Sequence, residues 1–245
     1  MLRLHPTVLY ICCFLTTTLS ITKSQNINSS NSISDANKGS KLYQSLFVND
    51  LNYINGREYK PYHYPTKDTP YLNGSKGVGS IFIDGEEYSE KQVFYDLYKD
   101  VLVVIPNHFD FSNVYIEINK SIVDSFYIDF EKEAYTLINI KRNGNYKGLE
   151  PGFYEQIYHK TKVSLLLKHL VKKGNTDGYT TYDYEIKRFL IFQGSHHDIT
   201  RKKKLLALFP DSKKKVKKAI KSINHSYKKM SNHQLIQLVK QIDTF

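Results

Sequence analysis

From Leu51 to Gln193 the chain runs in short apolar or alternating segments separated by turn residues, with no long stretch of helical period, which predicts strands. In GSIFIDGEEYSEKQVFYDL, Asp84–Gly85 separates Ser80–Ile83 from a run through Val93, Tyr95 and Leu97; Asp-Gly supplies the positive φ values of a tight hairpin turn. VLVVI, Val101 to Ile105, is apolar throughout, as a strand covered on both faces should be, and Pro106 ends it. Val114, Ile116 and Ile118 share one face of the next segment, and runs over 122–130 and 134–140 continue the meander. Phe153 to Tyr158 and Lys162 to Val171 flank a hairpin loop at His159–Lys160–Thr161, although SLLLKHLVKK also fits the start of a helix. Lys173 to Asp183 reads as a polar loop with a turn at Asp177–Gly178, and Ile186 to Phe192 as a last strand.

After residue 200 the period changes. Thr200 is placed to cap a helix through Lys203 to Phe209, closed by Pro210. Asp211 or Ser212 begins a second, with Val216, Ala219, Ile220 and Ile223 on one face. Ser231 and Gln234 form a capping-box pattern for a third, whose stripe is Leu235, Leu238, Val239 and Ile242. Each helix is too short to be stable alone, so the three should pack together or on the sheet. The expected class is α+β, mainly β: a curled antiparallel sheet of roughly eight strands or more, in a half-barrel or sandwich, followed by a small C-terminal helical segment.

The N-terminal pattern changes the reading of compartment. Arg3 precedes the apolar run Val8 to Leu19, and the chain turns polar at Thr22, Lys23 and Ser24. This is a secretory signal peptide in outline, too short to cross a bilayer as a helix, with cleavage expected near Ser24–Gln25. Residues 25–40 are polar and aperiodic and read as a disordered leader. The expected organisation is a signal peptide at 1–24, a leader at 25–40, an antiparallel β domain at 41–199 and a basic helical segment at 200–245. The only cysteines, Cys12 and Cys13, lie inside the signal peptide, so disulfides and cysteine metal sites are not expected of the mature chain. Leu9, Tyr10 and Ile11 before Cys12 speak against a lipid anchor. With 40% hydrophobic residues, 20 Tyr and 13 Phe, an ordinary core rich in half-buried aromatic rings can carry the fold.

Charge is concentrated at one end. Residues 201–245 hold Arg201 and twelve lysines against Asp211 and Asp243, which accounts for the whole net charge of +11. Such asymmetry points to an acidic partner. The candidate basic surface is Lys202, Lys203, Lys204, Lys213, Lys214, Lys215, Lys217, Lys218 and Lys221. Export makes nucleic acid a poor candidate, and no zinc-finger spacing or RNP motif is present. The expected partner is an envelope protein or another anionic surface, contacted from outside the cytoplasmic membrane without a transmembrane helix.

The segments GREYKPY, GSIFIDGEEYSEKQVFYDLYKDVLVVI and GFYEQIYHKTKVSLL, with the lysine-rich end, resemble an uncharacterised family of exported Bacteroidetes-type proteins with YDL and GFY motifs. The matching residues are Tyr88, Tyr95, Asp96, Leu97, Asp100, Gly152, Phe153 and Tyr154. DTPYL, Asp68 to Leu72, departs from the family's more aromatic segment. The resemblance implies no activity.

Other candidate chemistry is thin. Asp84, Glu86, Glu87, Asp96 and Asp100 gather around one hairpin, and a carboxylate-dependent hydrolase of envelope polymers would need two of them in one cleft. Strand alternation instead favours turn and solvent-face roles. His196–His197–Asp198 is the densest metal-type cluster, but adjacent histidines on an extended segment point apart and no HExxH supports them. GSKGVGS, Gly74 to Ser80, lacks the Gly-Lys-Ser/Thr end of a phosphate loop and precedes a strand. Tyrosines stacking on sugar rings are conceivable, yet the chain has no tryptophan. The expectation is an exported, non-enzymatic binding or interaction module without metal or cofactor.

Overall fold

The computed structural model describes residues 53–63, 66–106, 114–142, 146, 148–160, 163–223 and 226–244. The expected signal peptide and leader lie outside the described residues. Eleven strands follow in order: Arg57–Glu58 (β1), Gly77–Ile83 (β2), Glu86–Asp96 (β3), Val101–Ile105 (β4), Ile116–Glu117 (β5), Val123–Asp129 (β6), Ala134–Asn139 (β7), Phe153–His159 (β8), Val163–Thr176 (β9), Tyr179–Phe192 (β10) and Ser195–Asp198 (β11). Three helices close the chain: Lys202–Leu208 (α1), Lys213–Ile223 (α2) and Asn232–Ile242 (α3).

All the strands form one antiparallel sheet in the order β1-β5-β4-β3-β2-β6-β7-β8-β9-β10-β11. The chain lays down β2 to β5 as a meander in one direction. It then returns to pair β6 with β2 and runs outward the other way. β1 and β11 are the two edges and do not pair, so the sheet is open. One curled sheet, mainly β, with helices at its end is the class the hydrophobic pattern predicts.

Local chemistry explains the hairpins. Asp84 and Gly85 take φ values of 51° and 83° between β2 and β3, the conformation that Asp-Gly supplies. Asp177 and Gly178 do the same between β9 and β10, with φ values of 55° and 80°. The β9–β10 hairpin is longer than its polar tip suggested: 14 residues a side, paired up to Thr176 and Tyr179. Lys173 to Asp183 is therefore a protruding ladder rather than a loop, because main-chain pairing continues past the end of the apolar pattern. SLLLKHLVKK is strand throughout. All five residues of β4 are buried.

The main core lies on one side of the curled sheet. Ile81, Val93, Tyr95, Val104, Phe126, Ile128, Leu137 and Phe153, from six strands, pack together there. Tyr95, Phe126 and Phe153 form a three-way edge contact, with centroids 4.9 to 5.7 Å apart. Such geometry adds to the value of burial alone, since ring edges meet ring faces.

A second core joins helices to sheet. Val163, Leu165 and Leu190 from β9 and β10 pack with Leu205, Val216, Ile220, Leu235, Leu238 and Ile242. Each of these side chains contributes roughly 1.5–3 kcal/mol by leaving water. The capping box at Ser231 and Gln234 is present in both directions. Thr200, by contrast, does not cap α1: the N-cap is Arg201, and Thr200 Oγ1 accepts from the Arg188 main-chain N–H at 2.9 Å. The sheet takes that hydroxyl because β10 needs an acceptor where β11 ends.

Candidate functional site

The lysine face is built by α2. Val216, Ala219 and Ile220 point into the second core, so the helical period places Lys213, Lys214, Lys215, Lys217, Lys218 and Lys221 outward, and all six are exposed. No acidic residue interrupts α2. On α1, Lys203 and Lys204 are exposed and Lys202 is half-buried; Lys204 ion-pairs with Asp198. Lys202 to Lys204 and Lys213 to Lys215 occupy the first turns of their helices, which contain no acid. A helix N-terminus carries partial positive charge, so cations there are each disfavoured by about 0.3–1 kcal/mol. An anion laid against that end would relieve the repulsion.

The acids of the hairpin separate. Asp84 pairs with Arg142, which also donates to Asp124 at 2.6 Å. Glu86 accepts from Tyr88 Oη at 2.9 Å, and Glu87 is exposed. Asp96 is fully buried and accepts from four donors: Tyr59 Oη at 2.8 Å, Tyr62 Oη at 2.7 Å, and the main-chain N–H groups of Tyr98 and Lys99 at 2.9 and 3.0 Å. Asp100, at a φ of 55°, is held by Tyr95, by Lys120 and by Lys168 at 3.3 Å. Asp84, Glu86, Asp96 and Asp100 thus each have their own donors.

Tyr95, Gly152, Phe153 and Tyr154 gather around Asp100 and Lys168. Tyr95 donates to it, Phe153 packs edge-on against Tyr95, and Lys168 lies 4.9 Å from the Tyr154 ring centroid. Lys168 also donates to the Phe153 carbonyl at 3.0 Å. Gly152 has a φ of 150°, and a Cβ there would collide with the Lys168 ammonium and the Asp100 carboxylate. The Gly-Phe-Tyr sequence is thereby explained by packing around a polar knot. Burial pushes the Lys168 amine below its usual range, against the opposing pull of Asp100.

His196 and His197 lie in β11, which pairs with the end of β10, rather than in a loop. Among the described residues no group of three or more His, Cys, Asp or Glu is placed to hold a metal. The segment Gly74 to Ser80 leaves a single helical turn at Leu72–Gly74 and enters β2, so strand rather than helix follows its glycines.

One constellation was not anticipated from sequence. Glu155 on β8, His169 on β9 and Tyr184 on β10 form a diagonal row, since Glu155 pairs with Leu167, Tyr184 with Val171, and His169 lies between those two positions. Glu155 Oε2 is 2.7 Å from His169 Nε2, both side chains being buried. The other oxygen, Oε1, accepts from Asn232 Nδ2 at 3.2 Å, linking the row to α3. Tyr184 Oη meets His169 Nδ1, and Tyr135 stands edge-on to the imidazole at 5.7 Å. A carboxylate only accepts, so Nε2 carries a hydrogen; in the neutral imidazole Nδ1 is then the acceptor of the Tyr184 hydroxyl. Tyr184 and Tyr135 line a cleft of about 360 Å3 beside this row. The only sequence signal was a histidine inside the run Lys162 to Val171.

Comparison with family models, with curated proteins and with solved structures finds no match to this chain.

Proposed function

We propose that the protein is an exported, non-enzymatic β-rich binding module of the cell envelope that lays the lysine face of its helical tail on an anionic surface. The observation that carries this reading is α2, whose apolar side is buried in the second core while its six lysines are exposed. Because Val216, Ala219 and Ile220 are committed to the second core, the helix has no free apolar stripe to insert among lipid tails, which favours contact by charge alone. Presentation from a docked helix also spares the ordering cost that a free basic segment would meet on binding.

The test is co-sedimentation of the protein lacking residues 1–24 with vesicles containing an anionic lipid, against vesicles of neutral lipid. Retention on the anionic vesicles should fall steeply as salt rises, since the screening length shrinks from about 10 Å at 0.1 M to about 3 Å at 1 M. Retention that ignores salt, or that is equal on neutral vesicles, rules this reading out.

A further inference from the structure

The cleft beside the Glu155–His169–Tyr184 row has the opposite character from the lysine face. Four tyrosines, Tyr71, Tyr135, Tyr182 and Tyr184, line it together with Thr69 and Glu133. In a chain of net charge +11, Glu133 is the one charged side chain among the described residues lining this cleft.

The hydrogens of three of these groups are already assigned. Each hydroxyl owns a single hydrogen. That of Tyr135 goes to Glu133 Oε2 at 2.6 Å, and that of Thr69 goes to the Gly74 carbonyl at 3.2 Å. With the imidazole neutral and its hydrogen on Nε2 facing Glu155, that of Tyr184 goes to His169 Nδ1. These oxygens are left as acceptors, and Glu133 adds a carboxylate. A ligand that meets these three oxygens and the Glu133 carboxylate has to bring the donors. An anion would meet lone pairs and a negative charge, and a sugar hydroxyl brings a lone pair for each hydrogen. A protonated amine brings up to three N–H donors and the positive charge that both a carboxylate and the face of a tyrosine ring attract.

We propose that this cleft binds a protonated amine, its ammonium group held by the Glu133 carboxylate and the Tyr184 hydroxyl oxygen among the tyrosine rings. Glu133 is exposed and Tyr184 is 51% exposed, so both can be changed without opening the core. No residue of α2 lines the cleft.

The experiment titrates n-butylammonium into the protein lacking residues 1–24, by calorimetry or by chemical shifts of the tyrosine rings, with methyl glucoside and acetate as comparison probes. Saturable binding of n-butylammonium is expected, weakened about tenfold by Glu133→Gln and by a smaller factor in Tyr184→Phe, which keeps the ring and removes the acceptor. Glu131→Gln, outside the cleft, should leave it unchanged and so excludes a general effect of charge. Failure of n-butylammonium to saturate, equal binding by the Glu133→Gln protein, or saturation by methyl glucoside instead would each overturn the proposal.

Discussion

Arg188 Nη1, in the middle of β10, donates to the main-chain carbonyl of Tyr227 at 2.9 Å, and its guanidinium carbon stands 5.5 Å from the Tyr227 ring centroid. The second nitrogen, Nη2, reaches the carbonyls of Lys228 and Met230 at 3.2 and 3.3 Å. Tyr227 answers by donating its hydroxyl to the Ile199 carbonyl at 2.6 Å. One buried arginine therefore collects three carbonyls of the turn between α2 and α3, and its bonds to Tyr227 and Met230 are buried. The helical tail is fastened to the sheet by this fork as well as by its apolar stripe.

Arg188→Met should destabilise the protein by about 3 kcal/mol, because the buried bonds to the Tyr227 and Met230 carbonyls lose their donor. Urea denaturation of the two proteins measures it. A midpoint unchanged by the substitution would mean that the turn finds other donors.

Packing and charge on α2 can be separated. Ile220→Ala removes a fully buried side chain and should cost about 3 kcal/mol. Replacing Lys213, Lys214, Lys217 and Lys218 by Gln should change stability by no more than about 0.5 kcal/mol at each position, yet abolish retention on anionic vesicles. A lysine variant that keeps its retention assigns the contact to another surface.

Stability should decline in alkali. Burial is the leading cause that raises the phenols of Tyr59, Tyr95, Tyr154 and Tyr227 above the ordinary value of 10.0, with Tyr154 and Tyr227 pushed up to about 12. For such groups the folded chain holds the proton longer than the unfolded one. The contribution is complete below pH 10 and is lost as pH rises from there through the folded values, by about 1.4 kcal/mol per pH unit for each phenol. Lys168 acts the other way over its own window, since burial lowers its folded value below 10.5 and deprotonation there favours the folded state. Denaturation midpoints at pH 8, 10 and 11, beside the phenolate absorbance, check the sign; a midpoint that rises beyond pH 10 would contradict it.

The proposed export makes a prediction about the chain end. Expression in a secreting host should yield a protein beginning near Gln25, read by N-terminal sequencing. Recovery of the intact chain from the cytoplasm would return nucleic acid to consideration as the partner of the lysines.

Much of the local architecture was readable along the chain. The Asp84–Gly85 and Asp177–Gly178 turns, the doubly buried β4, the capping box at Ser231 and the stripes of α2 and α3 all follow from side-chain period and turn chemistry, which involve neighbours a few residues apart. The reach of β9 and β10 beyond Val171 did not, because main-chain pairing extends a ladder through polar residues once the register is set. Thr200 shows the same limit: its sequence context suits a cap, but Arg188 on another strand claims the hydroxyl.

By itself the sequence determined the lysine face, since residues 213–221 place charge and apolar groups on opposite sides of any helix they form. Whether that helix is packed or stands free was decided only in three dimensions, by the second core that it shares with α1, α3 and the strand residues Val163, Leu165 and Leu190, and by Arg188 holding its far turn. The row of Glu155, His169 and Tyr184 belongs wholly to the tertiary structure. Residues 14 and 15 apart in the chain become diagonal neighbours through the register of β8, β9 and β10, and no local pattern encodes which residue of one strand will stand beside which of the next.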